Sequence, residues 1–329
     1  MPKIMNTSGN PFLIGENMND WPLGLSTGCF YQRSIFDCLN SVASSGFRQS
    51  EVCSSPAHLD YHDRPAVRRA AEKLRKLALE GHSFHAPFAE HIDITSPDAR
   101  KRANSIGEVF AAAETAAELG ARFFVIHPGP EHAAHPLGME WSERLENVVD
   151  ALEMISDRCR KLGTICVLEN KLPHLIFGNL PDIMWILEAI ESPNIGVCLD
   201  TGHAHLAGDL WNVARSLAPY LRMIHASDNR GRMDDHLPPE EGEIDWARLF
   251  VELAAHGFQG SIILEIAGRG GIPEILHSAT RACSYLKGQA AAARREQSRN
   301  SQSNEAMGEA PPVFTRAFPG DREAPRPEH

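Results

Sequence analysis

The chain has 329 residues, 43% of them hydrophobic and 23% charged, with a formal net charge of −11, which suits a globular protein of one large domain or two small ones. No apolar run approaches the roughly 18 residues that span a bilayer, and the opening MPKIMNTSGNPFLIGENMNDWP lacks the basic-then-apolar order of a secretory signal, so a cytoplasmic protein is expected and a membrane partner is not. The seven cysteines form no CxxC pair and read as reduced and mainly buried.

In chain order, short apolar runs alternate with longer segments of helical period. The predicted strands are LGLSTGCF (23–30), FRQSEVCSS (47–55), HSFHAPF (82–88), ARFFVIHPG (121–129), TICVLEN (164–170), NIGVCLDTGH (194–203), LRMIHASDN (221–229) and SIILEIAG (261–268). Amphipathic helices are predicted between them, notably over 99–120 and 143–163, with Gly46, Gly81, Gly120, Gly163 and Gly257 as left-handed C-caps. Eight such βα units match the size and order of an α/β fold of the (β/α)8 TIM-barrel type, whose parallel strands are covered by helices and read as continuous apolar runs. A doubly wound open sheet is the alternative, but no glycine-rich phosphate fingerprint follows the first strand. Residues 1–22 read as an N-terminal extension and 23–288 as the barrel. From 289 onward, QAAAARREQSRNSQSNEAMGEAPP and the residues after it have few apolar side chains, and a disordered tail over 289–329 is expected. That tail carries six Arg against six Asp and Glu, so the acid excess lies on residues 1–288 and argues against non-specific nucleic-acid binding.

Barrel enzymes build their sites where strands end. The third predicted strand ends in His85, the fourth in His127, the fifth in Glu169, the sixth in Asp200-Thr-Gly-His203, the seventh in His225 and the eighth in Glu265, and the loop after the seventh adds Asp234 and His236. All are side chains that bind borderline divalent metals. Four carboxylates converging without a cation would repel one another in a partly dry cavity. Any one of these residues is also at home as a structural group. Such coincidences at the same end of six successive strands are not. His58, His62, His132, His135, His174, His256 and His277 lack this register and read as solvated, and His205 reads as a support for the site.

At these residues the sequence resembles the xylose isomerase-like barrel superfamily, in particular its sugar phosphate isomerase/epimerase group and the related endonuclease IV family. The stretches that carry it include HAPFAEHIDITSPDARKRANSI (85–106), VIHPG (125–129), VLEN (167–170), GVCLDTGHAHLAGDL (196–210) and DDHLPPEEGEIDW (234–246). The isomerase resemblance implies one divalent metal (Zn, Mn or Mg) held by Glu169, Asp200, His225 and Glu265. On that reading Glu169 and Glu265 are placed to transfer the proton next to a carbonyl, through a metal-stabilised enediolate, on a small sugar-like substrate contacted by His85, His127 and His203, with Arg230 or Arg232 of the loop after the seventh strand placed to bind a phosphate or hydroxyl. The endonuclease resemblance implies instead up to three zinc ions, with His85 and His127 joining Glu169 on a second and His203, Asp234 and His236 holding a third, for phosphodiester cleavage at abasic sites; nucleic acid is a partner only in that case. The loop DDHLPPEEGEIDW looks more like the isomerase version, and the body has no evident basic stripe, so the sugar reading is preferred. A homo-oligomer is compatible with either.

Overall fold

The structure, a computed structural model, describes residues 21–131 and 136–307. Eight parallel strands close into a barrel in sequence order: β1 (Leu23–Ser26), β2 (Gln49–Cys53), β3 (Glu80–His85), β4 (Phe123–Ile126), β5 (Ile165–Glu169), β6 (Ile195–Asp200), β7 (Leu221–Ala226) and β8 (Ser261–Leu264). Each overlaps a predicted apolar run, β3 starting two residues before the predicted 82–88 and β1 ending before the Thr27–Phe30 turn. The helices around them are α1 (Ile35–Ser44), α2 (Arg64–Lys76), α3 (Ala99–Leu119), α4 (Met139–Leu162), α5 (Leu180–Ala189), α6 (Thr201–Leu206), α7 (Leu210–Leu217), α8 (Trp246–Ala255) and α9 (Ile272–Met307). The barrel and its helices bury one large apolar core between them. Among the described residues no helix is long and apolar enough to cross a membrane. All seven cysteines are free thiols.

Inside the barrel a second, smaller cluster of Phe123, Val125, Val167, Cys198, Met223 and Ile263 forms an apolar floor. Side chains alternate along a strand, so the next inward position is two residues on. Two residues beyond Val125, Val167, Cys198, Met223 and Ile263 stand His127, Glu169, Asp200, His225 and Glu265. The strand period that fills the floor therefore also stacks a polar layer above it, at the mouth.

Gly46, Gly120, Gly163 and Gly257 adopt positive φ as predicted. Gly81 does not. It lies within β3, where a Cβ would stand 3.2 Å from the Leu119 carbonyl oxygen and 3.3 Å from Leu74, and the left-handed residue after α2 is Ala78 (φ 51°). Packing on the body reaches a little beyond residues 23–288 at both ends. Trp21 already belongs to the body, its indole N–H donating to the Phe258 carbonyl at 2.8 Å. At the other end α9 continues past Gly288, and Ala290 and Ala293 are buried in the core, because the alanine run extends the helix as well as any residue does. Residues 1–20 and 308–329 lie outside the described residues.

Candidate active site

The polar layer assembles three groups whose ligand atoms lie within 4.8 Å of one another: Glu169, Asp200, His225 and Glu265; His85, His127 and Glu169; His203, Asp234 and His236. Seven of these residues line a cavity of about 120 Å³ at the C-terminal mouth, together with Phe88, Leu172 and Leu175, while Asp200 and His225 lie fully buried behind its wall. Larger hollows of about 630 and 500 Å³ lie on the flank beside α3 and at the opposite end of the barrel, and neither contains a residue of the three groups.

Each of the five imidazoles is held from behind. His85 Nδ1 faces the Ala86 carbonyl oxygen at 2.9 Å, His203 Nδ1 that of Asn170 at 2.8 Å, and His236 Nδ1 that of Glu265 at 2.9 Å. A carbonyl oxygen only accepts, so these three Nδ1 atoms carry hydrogen. Their Nε2 atoms turn inward, to Glu169 Oε2 at 3.1 Å for His85 and to Asp234 Oδ2 at 3.4 and 3.0 Å for His203 and His236. His127 donates from Nδ1 to Glu131 Oε1 at 2.7 Å and turns Nε2 toward Glu169 Oε2 at 3.3 Å. His225 is reversed: Nε2 meets Glu51 Oε2 at 2.9 Å, while Nδ1 faces Glu169 Oε1 at 2.9 Å and Glu265 Oε2 at 3.1 Å.

The backbone is fixed with similar care at Asp200. The Asn170 side chain accepts from the Asp200 N–H at 2.8 Å and donates to its carbonyl at 2.9 Å, clasping the β5 and β6 tips together. Asp200 Oδ1 then caps α6 by accepting from the His203 N–H at 2.6 Å, which sets Asp200 and His203 on one wall. Gly202 between them serves by its size: a Cβ there would meet Ser227 Oγ at 2.4 Å. Tight turning of the chain, expected from the sequence, is not the reason, since Gly202 lies within α6.

Burial, with the Glu265 and Glu169 charges, pushes Asp200 up to about 6, against the pull of His203. Burial also opposes ionisation of Glu169, yet His225, His127 and His85 hold it well below the usual carboxylate range. Against the same burial, Glu169 raises His85 to about 9, and Asp200 and Asp234 raise His203 to about 10. Three buried oxygens, Asp200 Oδ2, Asp234 Oδ1 and Glu265 Oε2, accept no hydrogen bond from the protein. Unmatched buried carboxylate oxygens are costly, and a divalent cation, which would take the place of the imidazole protons, is the partner that a set of imidazoles and carboxylates accommodates. The residues present therefore fit a metal.

Nine of the sequence-predicted site residues come together here. Arg230 does not join them: it is exposed and lines no part of the cavity, because Asn229, which anchors the loop by donating to the Gly202 carbonyl at 2.9 Å, is buried and its neighbour faces out. His58 also departs from expectation. It is buried, with Nδ1 on the Arg33 carbonyl at 2.7 Å and Nε2 on Thr27 Oγ1 at 2.8 Å, and ties the first two mouth loops together. His62, His174, His256 and His277 are exposed as expected, while His132 and His135 lie outside the described residues. His205 bonds Asn229 Oδ1 at 2.8 Å. Reading strand ends missed Glu51, which sits mid-strand, and the pair Glu131 and Lys171. Lys171 is buried and donates to the Gly129 and Pro130 carbonyls at 3.1 and 2.6 Å, with Glu131 Oε1 at 3.2 Å. An acid in the middle of a predicted parallel strand was the available signal for Glu51, since such a residue must point inward and be paired.

A closed (β/α)8 barrel with a His, Asp and Glu cluster at its C-terminal mouth defines a class of catalytic scaffold. The chain belongs to the xylose isomerase-like TIM barrel family, whose family model matches residues 39–290. An uncharacterized protein of Methanocaldococcus jannaschii is 28% identical over 254 residues, 75% of this chain and 84% of that protein. A probable endonuclease 4 of Mesomycoplasma hyopneumoniae is 32% identical over 126 residues, 34% of this chain and 42% of the relative, so the match spans less than half of that enzyme. Among solved structures, a D-tagatose 3-epimerase-like protein superposes with a TM-score of 0.73 at 24% identity, covering 84% of this chain and 99% of the other. The IOLI protein with a zinc atom superposes with a TM-score of 0.70 at 18% identity, covering 80% and 97%. At these identities the two structures establish the fold.

Proposed function

We propose that the protein is a divalent-metal-dependent isomerase or epimerase acting on a small sugar or sugar derivative, phosphorylated or not. The observation that carries this reading is the quartet Glu169, Asp200, His225 and Glu265, gathered within 4.8 Å beneath a cavity of about 120 Å³. A divalent cation held by that quartet supplies Lewis-acid stabilisation of negative charge on the substrate oxygens. Glu169 and Glu265 both line the cavity and reach in from strands three apart in the barrel. One carboxylate takes the proton beside the carbonyl; for epimerisation the other, protonated, delivers its own proton to the opposite face, and for isomerisation the acid so formed gives the proton to the neighbouring carbon. His203 and His85 present Nε2 toward the same space and bind substrate oxygens, while Phe88, Leu172 and Leu175 exclude water from the deprotonated carbon. The seven free thiols suit a reducing cytoplasm, and a homo-oligomer is the proposed assembly.

One observation favours a second reading. His85, His127, Glu169 and His203, Asp234, His236 form two further ligand groups, the arrangement that three-zinc cleavage of an abasic-site phosphodiester would use. One preparation separates the two: the protein purified without chelator, its metals counted per chain, then assayed on a panel of ketoses and ketose phosphates beside an abasic-site duplex. Interconversion of a ketose with about one essential metal supports the proposal. Duplex cleavage with three zinc ions and no turnover of sugars overturns it.

A further inference from the structure

Glu51 is fully buried within the barrel wall, one strand position below the mouth and away from the cavity surface. Its neighbours all present donors. Ser26 Oγ donates to Oε1 at 2.9 Å, Ser83 Oγ to Oε2 at 2.8 Å, and His225 Nε2 to Oε2 at 2.9 Å. Ser26 Oγ already accepts from the Gly28 N–H at 3.3 Å, which turns its hydroxyl hydrogen toward Glu51. Three strands, β1, β3 and β7, thus spend a donor each on one carboxylate that touches no substrate space.

His225 is the only one of the five inward imidazoles that faces the cavity through Nδ1. It is also the one imidazole held from behind by a carboxylate inside the barrel. A hydrogen on Nε2, fixed by Glu51, leaves the Nδ1 lone pair as the atom directed at Glu169 and Glu265, and a carboxylate behind an imidazole makes it a stronger ligand than a carbonyl does. We propose that Glu51 is a positioning residue that sets the tautomer, orientation and donor strength of His225, and so the affinity of the quartet for its divalent ion. The inference rests on the metal reading of the site and is independent of which substrate is turned over.

The test uses Glu51→Gln in the full-length chain, with Zn²⁺ affinity measured by chelator competition and Co²⁺ loaded for its visible absorption spectrum. Zinc binding at one site should weaken by roughly 10–100-fold, the cobalt bands should shift, and the melting temperature of the chelated protein should stay within a few degrees of wild type. In a His225→Ala background the same substitution should cost no further affinity, since the interaction through which it acts is gone. Unchanged zinc affinity in a folded Glu51→Gln protein overturns the inference, as does an equal loss in the His225→Ala background. Should Glu51→Gln not fold, Ser83→Ala decides: a smaller loss of zinc affinity is expected, and none overturns the inference. A wild-type protein that binds no divalent metal overturns the proposed function together with this inference, whereas a zinc-binding wild type inactive on every ketose removes only the sugar reading.

Discussion

Glu265 shows how one side chain serves both parts of the proposed chemistry. Its Oε2 stands 3.1 Å from His225 Nδ1, which Glu169 also faces, yet accepts no hydrogen bond. Glu265→Gln keeps the shape and removes the charge, so turnover should fall about 100-fold or more while the far-ultraviolet circular dichroism stays that of the wild type; near-normal turnover of the metal-loaded variant would remove Glu265 from the mechanism. His58 is the contrasting case, a histidine whose work is structural. Burial lowers its pKa, against the Arg33 and Phe30 carbonyls, so its folded value lies below its unfolded one. The stability it contributes is therefore complete above the unfolded value of about 6.5 and is lost as pH falls through the folded value. His58→Ala, which takes the partner from the Thr27 hydroxyl hydrogen and from the Arg33 carbonyl, should cost about 1–3 kcal/mol in urea unfolding at pH 7.5. That difference should shrink as the pH is lowered toward 5, and a constant difference would show that His58 acts through packing alone.

At the scale of elements, the last helix carries a clear expectation. Cutting the chain after Gly288 removes Ala290 and Ala293 from the core, whose burial contributes about 1–2 kcal/mol together, and the melting temperature should drop by a few degrees. Cutting after Met307 should leave it unchanged, and a loss there would show that residues 308–329 pack on the body or on a second copy. All eight strands were legible because parallel barrel strands are buried on both faces and appear as unbroken apolar runs, and the ligands were legible because each closes such a run. What escaped depended on contacts between distant segments. Glu51 has its partners 25, 32 and 174 residues away in sequence, and the burial of His58 depends on a loop 25 residues earlier. The outward turn of Arg230 and the limit of α9 follow from packing that no local pattern encodes.

For the molecule as a whole the deciding quantity is the number of ions bound. In a one-metal enzyme His127 touches substrate or steadies the site, so His127→Ala should keep about one metal per chain by elemental analysis and change KM or kcat. In a three-metal enzyme it should lose an ion and abasic-site cleavage together. The first outcome is expected; the second would mean that the net charge of −11 had misdirected the choice of substrate. The quartet and the group of His203, Asp234 and His236 are anchored differently. The quartet and its supports, Asn170 and Glu51, sit on barrel strands or their tips, whereas Asp234 and His236 arrive on the β7–α8 loop, where His236 itself has a positive φ of 43°. That loop is an interchangeable part. Its exchange for a shorter one would take away Asp234 and His236, leave His203 behind on α6 and reshape the rim, while the strands that carry the quartet stay in place, so a single barrel can acquire a new substrate range by splicing one segment while its chemical engine stays as built.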